Sequence, residues 1–280
     1  MLDQIPFTPD QSVWLDLDLA ATHQVIEEVL CQIASIFPGP FLHIGGDEPF
    51  GMPKDLYAAY VRHVIRFVRS LGKRTVGFQE TMRAGVDPAH VIQYWISPAS
   101  LADSASSRPS GLAAMVNENI GKARGDIEQA KARGVRVVVT PMSHAYFDVA
   151  YAEPSADPAQ EAARLRVGQR AYPPKTVAET FDWEPVEALG PDTRPEHLAG
   201  VGAAVWCETV RDFDELTFQL LPRLAGSAHK AWSDPRTATW DEHREALASH
   251  GRLWAQDGLA YFKSSTVDWA ADPVTKDNLG

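Results

Sequence analysis

The chain has 280 residues, 45% hydrophobic and 22% charged, with a formal net charge of −11 from 26 Lys and Arg against 37 Asp and Glu. That length allows one sizeable core or at most two domains, and the acidic balance argues against a nucleic-acid surface. No run approaches the ~20 apolar residues that span a bilayer. Residues 1–6 lack the basic-then-apolar order of a signal peptide, so the chain as given is expected to be cytoplasmic by default. Cys31 and Cys207 lie far apart and in no metal-ligand spacing; two buried free thiols are expected, with mutual pairing as the alternative.

Residues 1–18 read as a loop. Residues 20–37 read as a helix with Val25, Val29 and Ile33 on one face and Ile26 and Leu30 beside them; Pro38-Gly39-Pro40 ends it. Phe41-Leu-His-Ile-Gly-Gly-Asp-Glu-Pro49 follows. Its apolar run reads as a buried strand, and glycines at a strand end let the backbone turn sharply and a ligand approach. Asp47 and Glu48 are adjacent carboxylates. Neighbouring like charges repel and raise one pKa, which suits an acid and an anion working side by side. The alternative is a turn with two solvated acids.

A second helix is expected from residue 53 or 54 to about 71, with Leu56, Tyr60, Val64, Ile65 and Val68 inward and Gly72 as its stop. Strands are expected over 74–78, running into Gln79-Glu80, and over 91–95, ending in Trp95. Residues 98–111 read as loop and 120–133 as helix. Residues 135–140 form a β-branched run of the kind found in parallel strands covered on both faces. The Pro-, Asp- and Ala-rich stretch 142–199 reads as a long loop, and such loops in compact domains are usually functional. A fifth strand over 201–206, helices over 212–232 and 239–261, and a loosely ordered tail over 263–280 complete the chain.

Strand and helix thus alternate, which argues a parallel α/β sheet with right-handed crossovers. Polar and aromatic residues collect just after the strands: Asp47 and Glu48, Glu80, Trp95, Tyr146 and Asp148, Trp206 and Glu208. In barrels of this type the strands' C-terminal ends form the active site. By position alone, Trp95 and Trp206 read equally as core aromatics, His43 as a satisfied core histidine, Tyr146 and Phe147 as loop anchors, and Asp148 and Glu208 as surface charges. Trp183 sits in a polar loop, which favours a ligand role. Trp232, Trp240, Trp254 and Trp269 read as helix packing.

The motif His43-Ile-Gly-Gly-Asp-Glu48 resembles the signature of the family 20 glycoside hydrolases, the β-N-acetylhexosaminidases. Ala145-Tyr-Phe-Asp148, Phe181-Asp-Trp-Glu-Pro185, Gly202-Ala-Ala-Val-Trp-Cys-Glu208 and the strand ending in Trp95 resemble further family segments, in the family's order, over roughly residues 20–262. The resemblance implies a TIM-barrel-like (β/α)8 fold and removal of terminal β-linked N-acetylhexosamine, GlcNAc or GalNAc, from glycans or glycoconjugates, with no cofactor and no metal. Retaining glycosidases generally set two carboxylates about 5–5.5 Å apart, and this family is a substrate-assisted exception. The resemblance makes Glu48 the general acid and base. Asp47 orients the substrate's 2-acetamido group, whose oxygen is the nucleophile. Trp95, Trp183 and Trp206 wall the sugar pocket, Tyr146 hydrogen-bonds the acetamido oxygen, and Asp148 and Glu208 accept from outer hydroxyls. His43 supports the acid pair from behind.

Two departures from the family pattern stand out. Phe78 occupies a position where the family usually has Trp. A complete barrel has eight strands in about 250 residues, whereas five are expected here, and the acid pair, on the family's fourth strand, lies near the start. The expectation is therefore one partial barrel domain over 1–280 with strands 4–8 and C-terminal helices, lacking the strands that carry a substrate-gripping Arg. It is completed by a missing N-terminal half-barrel or by self-association. Alternatives are a non-catalytic remnant that keeps the sugar-site residues and, from Gly45-Gly-Asp-Glu48 with Phe50 nearby, a cyclic-dinucleotide synthase. Pro49 and the short upstream segment count against the latter.

Overall fold

The computed structural model describes residues 15–97, 110–170, 172–234 and 239–269. The expected loops over 1–14 and 98–109 and the last eleven tail residues lie outside the described residues. The chain forms two compact units, Met1–Val139 with Leu189–Gly200, and Thr140–Ala188 with Val201–Gly280.

The first unit is built on a five-stranded sheet with the strands in chain order: β1 (Phe41–His43), β2 (Arg74–Phe78), β3 (Val91–Tyr94), β4 (Arg136–Val139) and β5 (Leu198–Val201). β1 to β4 pair in parallel, with Leu42 opposite Thr75, Gly77 opposite Ile92 and Ile92 opposite Val137. The ladder continues past β1, where Ile44 N–H donates to the Val76 carbonyl (2.8 Å) and Phe78 N–H to the Gly45 carbonyl (2.9 Å). The helices are α1 (Ala20–Ile36), α2 (Lys54–Ser70) and α3 (Ser110–Arg133), the last starting ten residues before the expected 120. α2 buries Tyr57, Ala58, Val61, Val64, Ile65 and Val68, the stripe its 3.6-residue period requires. Leu56 and Tyr60, at its margins, are half-buried.

α1 differs from expectation. Leu30 and Ile26 pack with Leu42, Val64 and Val68, while Val25 (60% exposed), Val29, Ile33 and Ile36 face solvent. The helix is apolar on more than one side, and β1, which it lies against, is an edge of the sheet. Among the described residues nothing lies beyond it to cover the second apolar face.

The expected strand over 201–206 is displaced. Pairing holds on Leu198–Val201, and of residues 202–206 only Ala204 makes a bridge, to Tyr146. Gly202, Ala203 and Ala204 offer little side chain to pack on a pleated surface.

The second unit is loop-rich. Short parallel bridges (Tyr146 with Ala204, Val149 with Gln169, Tyr151 with Lys175) hold its first segments together. Two short helices, α4 (Glu161–Arg166) and α5 (Val177–Phe181), interrupt the expected long loop; Thr176 and Glu179 form a capping box at the start of α5. The expected helix 212–232 is two, α6 (Phe213–Leu220) and α7 (Arg223–Trp232), separated at Pro222, which has no N–H to continue the ladder. α8 (Trp240–Gln256) starts on a second capping box, Thr239 with Glu242. The core is Tyr151, Val177, Phe218, Leu247, Phe262 and Val267, with Trp240, Trp254 and Trp269 packed on it. Trp232, by contrast, is 90% exposed, which corrects its assignment to helix packing. Within the expected tail, Ser264 and Val267 are buried and Trp269 Nε1 donates to the Ser264 carbonyl (2.9 Å). Cys31 and Cys207 are free and both exposed, against the expected burial: each lies on a surface turned away from its unit's core. Among the described residues no helix is long and apolar enough to cross a membrane.

Candidate active site

In the first unit the acids sit on the loop after β1. Gly45, Gly46 and Glu48 all take positive φ, 69°, 94° and 48°. Glycine is required at 46, because a Cβ there would meet Thr81 Cγ2 at 2.6 Å. Glu48 has no such freedom, and a non-glycine residue in this region costs of order 1–3 kcal/mol unless its surroundings hold it. Several contacts do so. Tyr57 Oη donates to the Gly46 carbonyl (2.6 Å), Phe50 N–H to the Glu48 carbonyl (2.6 Å), and Glu48 N–H reaches Glu80 Oε1 (3.3 Å). Both Asp47 and Glu48 are exposed.

His43 lies with its ring edge against Phe78 (4.8 Å), and its Nδ1 accepts from Gly45 N–H (3.1 Å). Desolvation lowers its pKa, opposed by a hydrogen bond with Gln93 and the charge of Asp47. It therefore touches the loop through Gly45. Trp95, half-buried beyond β3, points its indole Nε1 at Glu80 Oε2 (3.1 Å). Phe78 lies edge-on to it at 6.3 Å.

The second unit holds the other candidates. Tyr146 is buried and meets Trp206 edge-on at 6.0 Å; Trp206 itself is 42% exposed. Asp148 is 1% exposed, not the surface charge its position alone suggests. Burial raises its carboxyl to about 6, with Glu208 adding to the rise and hydrogen bonds from its own and the Trp206 backbone, together with Arg223, opposing it. Its Oδ1 is buried with no hydrogen-bond partner among the described residues. Glu208 is exposed. Trp183 stacks at 6.0 Å on His144, a ring whose pKa burial lowers to about 4, and its buried indole Nε1 has no hydrogen-bond partner among the described residues.

The structure thus gathers Asp47, Glu48, His43 and Trp95 in one unit, and Tyr146, Asp148, Trp206 and Glu208, with Trp183 beside His144, in the other. Sequence reading gave no role to Glu80, although it marked Glu80 at a strand end. It also missed Asn119, His144 and Arg223. Arg223, 2% exposed, lies over the Tyr151 ring at 3.6 Å and donates to the carbonyls of Phe147 (3.2 Å), Val149 (2.6 Å) and Lys175 (3.1 Å). It fixes the backbone on both sides of Asp148. No sequence pattern announces such a residue at the first position of a helix. Among the described residues no group of three His, Cys, Asp or Glu is placed to hold a metal ion.

A β-N-acetylhexosaminidase of Cellulomonas fimi is 33% identical over 252 residues, 90% of this chain and 44% of the relative. The GH20 β-N-acetylhexosaminidase of Streptomyces coelicolor A3(2) superposes with a TM-score of 0.74 at 28% identity, covering 91% of this chain and 46% of the other. A mutant Streptomyces plicatus β-hexosaminidase, solved in complex with product (GlcNAc), gives 0.74 at 26% identity, over 91% and 45%. The chain therefore spans under half the length of these relatives. The model of the glycosyl hydrolase family 20 catalytic domain matches residues 7–235, and the chain belongs to that family.

Proposed function

We propose that this chain carries the catalytic acids of a retaining β-N-acetylhexosaminidase that releases terminal β-linked N-acetylhexosamine from glycans or glycoconjugates. One observation carries the reading. In a family 20 chain, two adjacent, solvent-facing carboxylates stand on the loop after β1, with Glu48 held in left-handed backbone. Adjacent residues are poorly placed to flank a bond as nucleophile and acid, so the substrate supplies the nucleophile. The acetamido oxygen attacks C1 and forms a cyclic, positively charged intermediate as the C1–O bond to the leaving group breaks. Glu48 gives its proton to the departing oxygen. Asp47 orients the acetamido N–H and stabilises the developing positive charge. Water then attacks C1, Glu48 takes its proton, and the ring opens with β configuration kept.

To Trp95 in the first unit, and to Trp183 and Trp206 in the second, we assign contacts with the sugar, and to Tyr146 a hydrogen bond to the acetamido oxygen. Asp148 and Glu208 accept from outer hydroxyls, and His43 steadies the acid loop through Gly45. The buried, unpartnered Oδ1 of Asp148 supports its role, since a buried acceptor calls for a donor. The same family membership leaves the cyclic-dinucleotide reading without support.

The exposed stripe of α1 beside edge strand β1 supports a second point. Strand and helix from polypeptide outside these 280 residues cover that face and complete the barrel. The relatives' greater length is consistent with this.

The test is nitrophenol release from 4-nitrophenyl N-acetyl-β-glucosaminide and its galactosamine counterpart by the purified chain, beside Asp47→Asn. Turnover lost in the variant supports the reading; turnover that is present and equal in both refutes the role of Asp47. Sedimentation of the chain and of Val29→Glu tests the covered face. Self-association that the variant abolishes would show a second copy, rather than added polypeptide, as the cover.

A further inference from the structure

The acid loop and the aromatic wall belong to strands that are not neighbours: β2 lies between β1 and β3. The residues that follow β2, Gln79 and Glu80, are both fully buried (0% exposed). Gln79 Oε1 accepts from the backbone N–H groups of Trp95 and Ile96, each at 2.9 Å. Glu80 reaches further. Its Oε2 accepts from the Trp95 indole (3.1 Å), and its Oε1 from Asn119 Nδ2 (3.0 Å) and from the Glu48 backbone (3.3 Å).

The carboxylate is itself fixed from behind. Asn119, on α3, accepts from Arg83 Nη1, and Arg83 grips Asp126 through Nε (3.0 Å to Oδ1) and Nη2 (2.6 Å to Oδ2). Asp126 is 2% exposed. A buried carboxylate is expensive in water-free surroundings, and an apolar side chain of similar volume would fill the same space at less cost. What an apolar side chain lacks is an acceptor for the strained Glu48 backbone and for the indole.

We propose that Glu80 is a positioning residue. One buried carboxylate sets the backbone of the acid Glu48 and the indole of Trp95, so that proton donor and pocket wall are aligned together. This rests on the reading of Glu48 as the acid given above. Asn119 and the Arg83–Asp126 pair hold the carboxylate in turn.

The decisive variant is Glu80→Gln, which keeps the volume but turns one acceptor into a donor facing other donors. Two glycosides of N-acetyl-β-glucosamine separate the roles. With a phenyl leaving group, protonation by the acid is essential; with 2,4-dinitrophenyl it is dispensable. A misplaced Glu48 should lower kcat/KM for the phenyl glycoside roughly tenfold or more beyond the loss for the dinitrophenyl one. Damage that is merely structural lowers both equally.

A second readout does not depend on turnover. The Trp95 indole N–H resonance, assigned by its absence in Trp95→Phe, should move upfield in Glu80→Gln as its charged acceptor is lost. If Glu80→Gln fails to fold, Asn119→Ser carries the same two measurements, with smaller shifts in the same directions. Equal losses on both glycosides, or an unmoved indole resonance, overturn the proposal. If the unmodified chain turns over neither glycoside, as a barrel without its remaining strands would, the indole resonance alone decides whether Glu80 holds Trp95, and its failure to move overturns the proposal.

Discussion

The acid loop of the first unit and the 146–148 segment of the second present their carboxylates in opposite ways. Asp47 and Glu48 face solvent, and the buried acid near them, Glu80, serves as an anchor with three N–H donors. In the second unit the candidate ligand-binding acid is itself the buried one. Asp148 keeps an unpartnered oxygen, and the anchor is a cation, Arg223, that binds backbone carbonyls and not the carboxylate. A proton-transferring group needs to meet substrate and water. A hydroxyl-binding acid gains from a dry site, where each hydrogen bond is stronger. The contrast teaches that the acid proposed to exchange protons, Glu48, is left exposed, while Glu80, which fixes geometry, and Asp148, proposed to bind, are buried.

That contrast can be broken at its strongest point first. Glu48→Gln should lower turnover of the phenyl glycoside by roughly 10²–10⁴, measured as kcat/KM, while thermal unfolding stays unchanged because the side chain is exposed. Arg223→Leu should destabilise the chain by roughly 3–5 kcal/mol, read from denaturant midpoints, since it strands three carbonyls away from water.

Asp148→Asn should do the reverse at neutral pH. Burial raises the folded carboxyl from 3.8 to about 6, so between those values the folded chain binds more protons than the unfolded one, and stability falls as pH rises through the window. Removing the charge should gain up to about 3 kcal/mol at pH 7.5 and almost nothing at pH 4. A stability gain that does not vary with pH would mean that ionisation of Asp148 is not its source.

Gly46→Ala sharpens the first half of the comparison. Its Cβ would press on Thr81, whose hydroxyl is tied to the Phe78 carbonyl at 2.7 Å, so a loss of about 1–3 kcal/mol is expected along with lowered activity. Gly39→Ala, where an added Cβ meets nothing within 4 Å, is the control and should change the unfolding free energy by less than about 0.5 kcal/mol.

Much of the fold was legible because local signals and tertiary environment agreed. Residues 74–78 read as a strand and are one, because the β-branched pair Thr75-Val76 and the aromatic Phe78, following a helix stop, leave little choice. α2 declared its buried stripe through its period, and Gly72, at φ 76°, ended it as expected. The acid loop was legible too, since two glycines before two carboxylates at a strand end have few uses. Where local signals were weak the reading slipped. The small residues 202–204 carry little packing information, and the exposed faces of Cys31 and Cys207 depend on which side of each element found a neighbour.

By itself, the sequence determined the alternation of strand and helix, the placement of polar and aromatic residues at strand ends, and the family to which they point. Each of these follows from residue type and spacing within a few positions along the chain. Only the tertiary structure decided which of two apolar faces α1 buries. The same is true of the buried, unpartnered oxygen of Asp148, and of the convergence of Glu48, Trp95 and Asn119 on Glu80. That convergence joins Glu80 to residues 15, 32 and 39 positions away, and a carboxylate's environment is set by what packs around it, which no local spacing records.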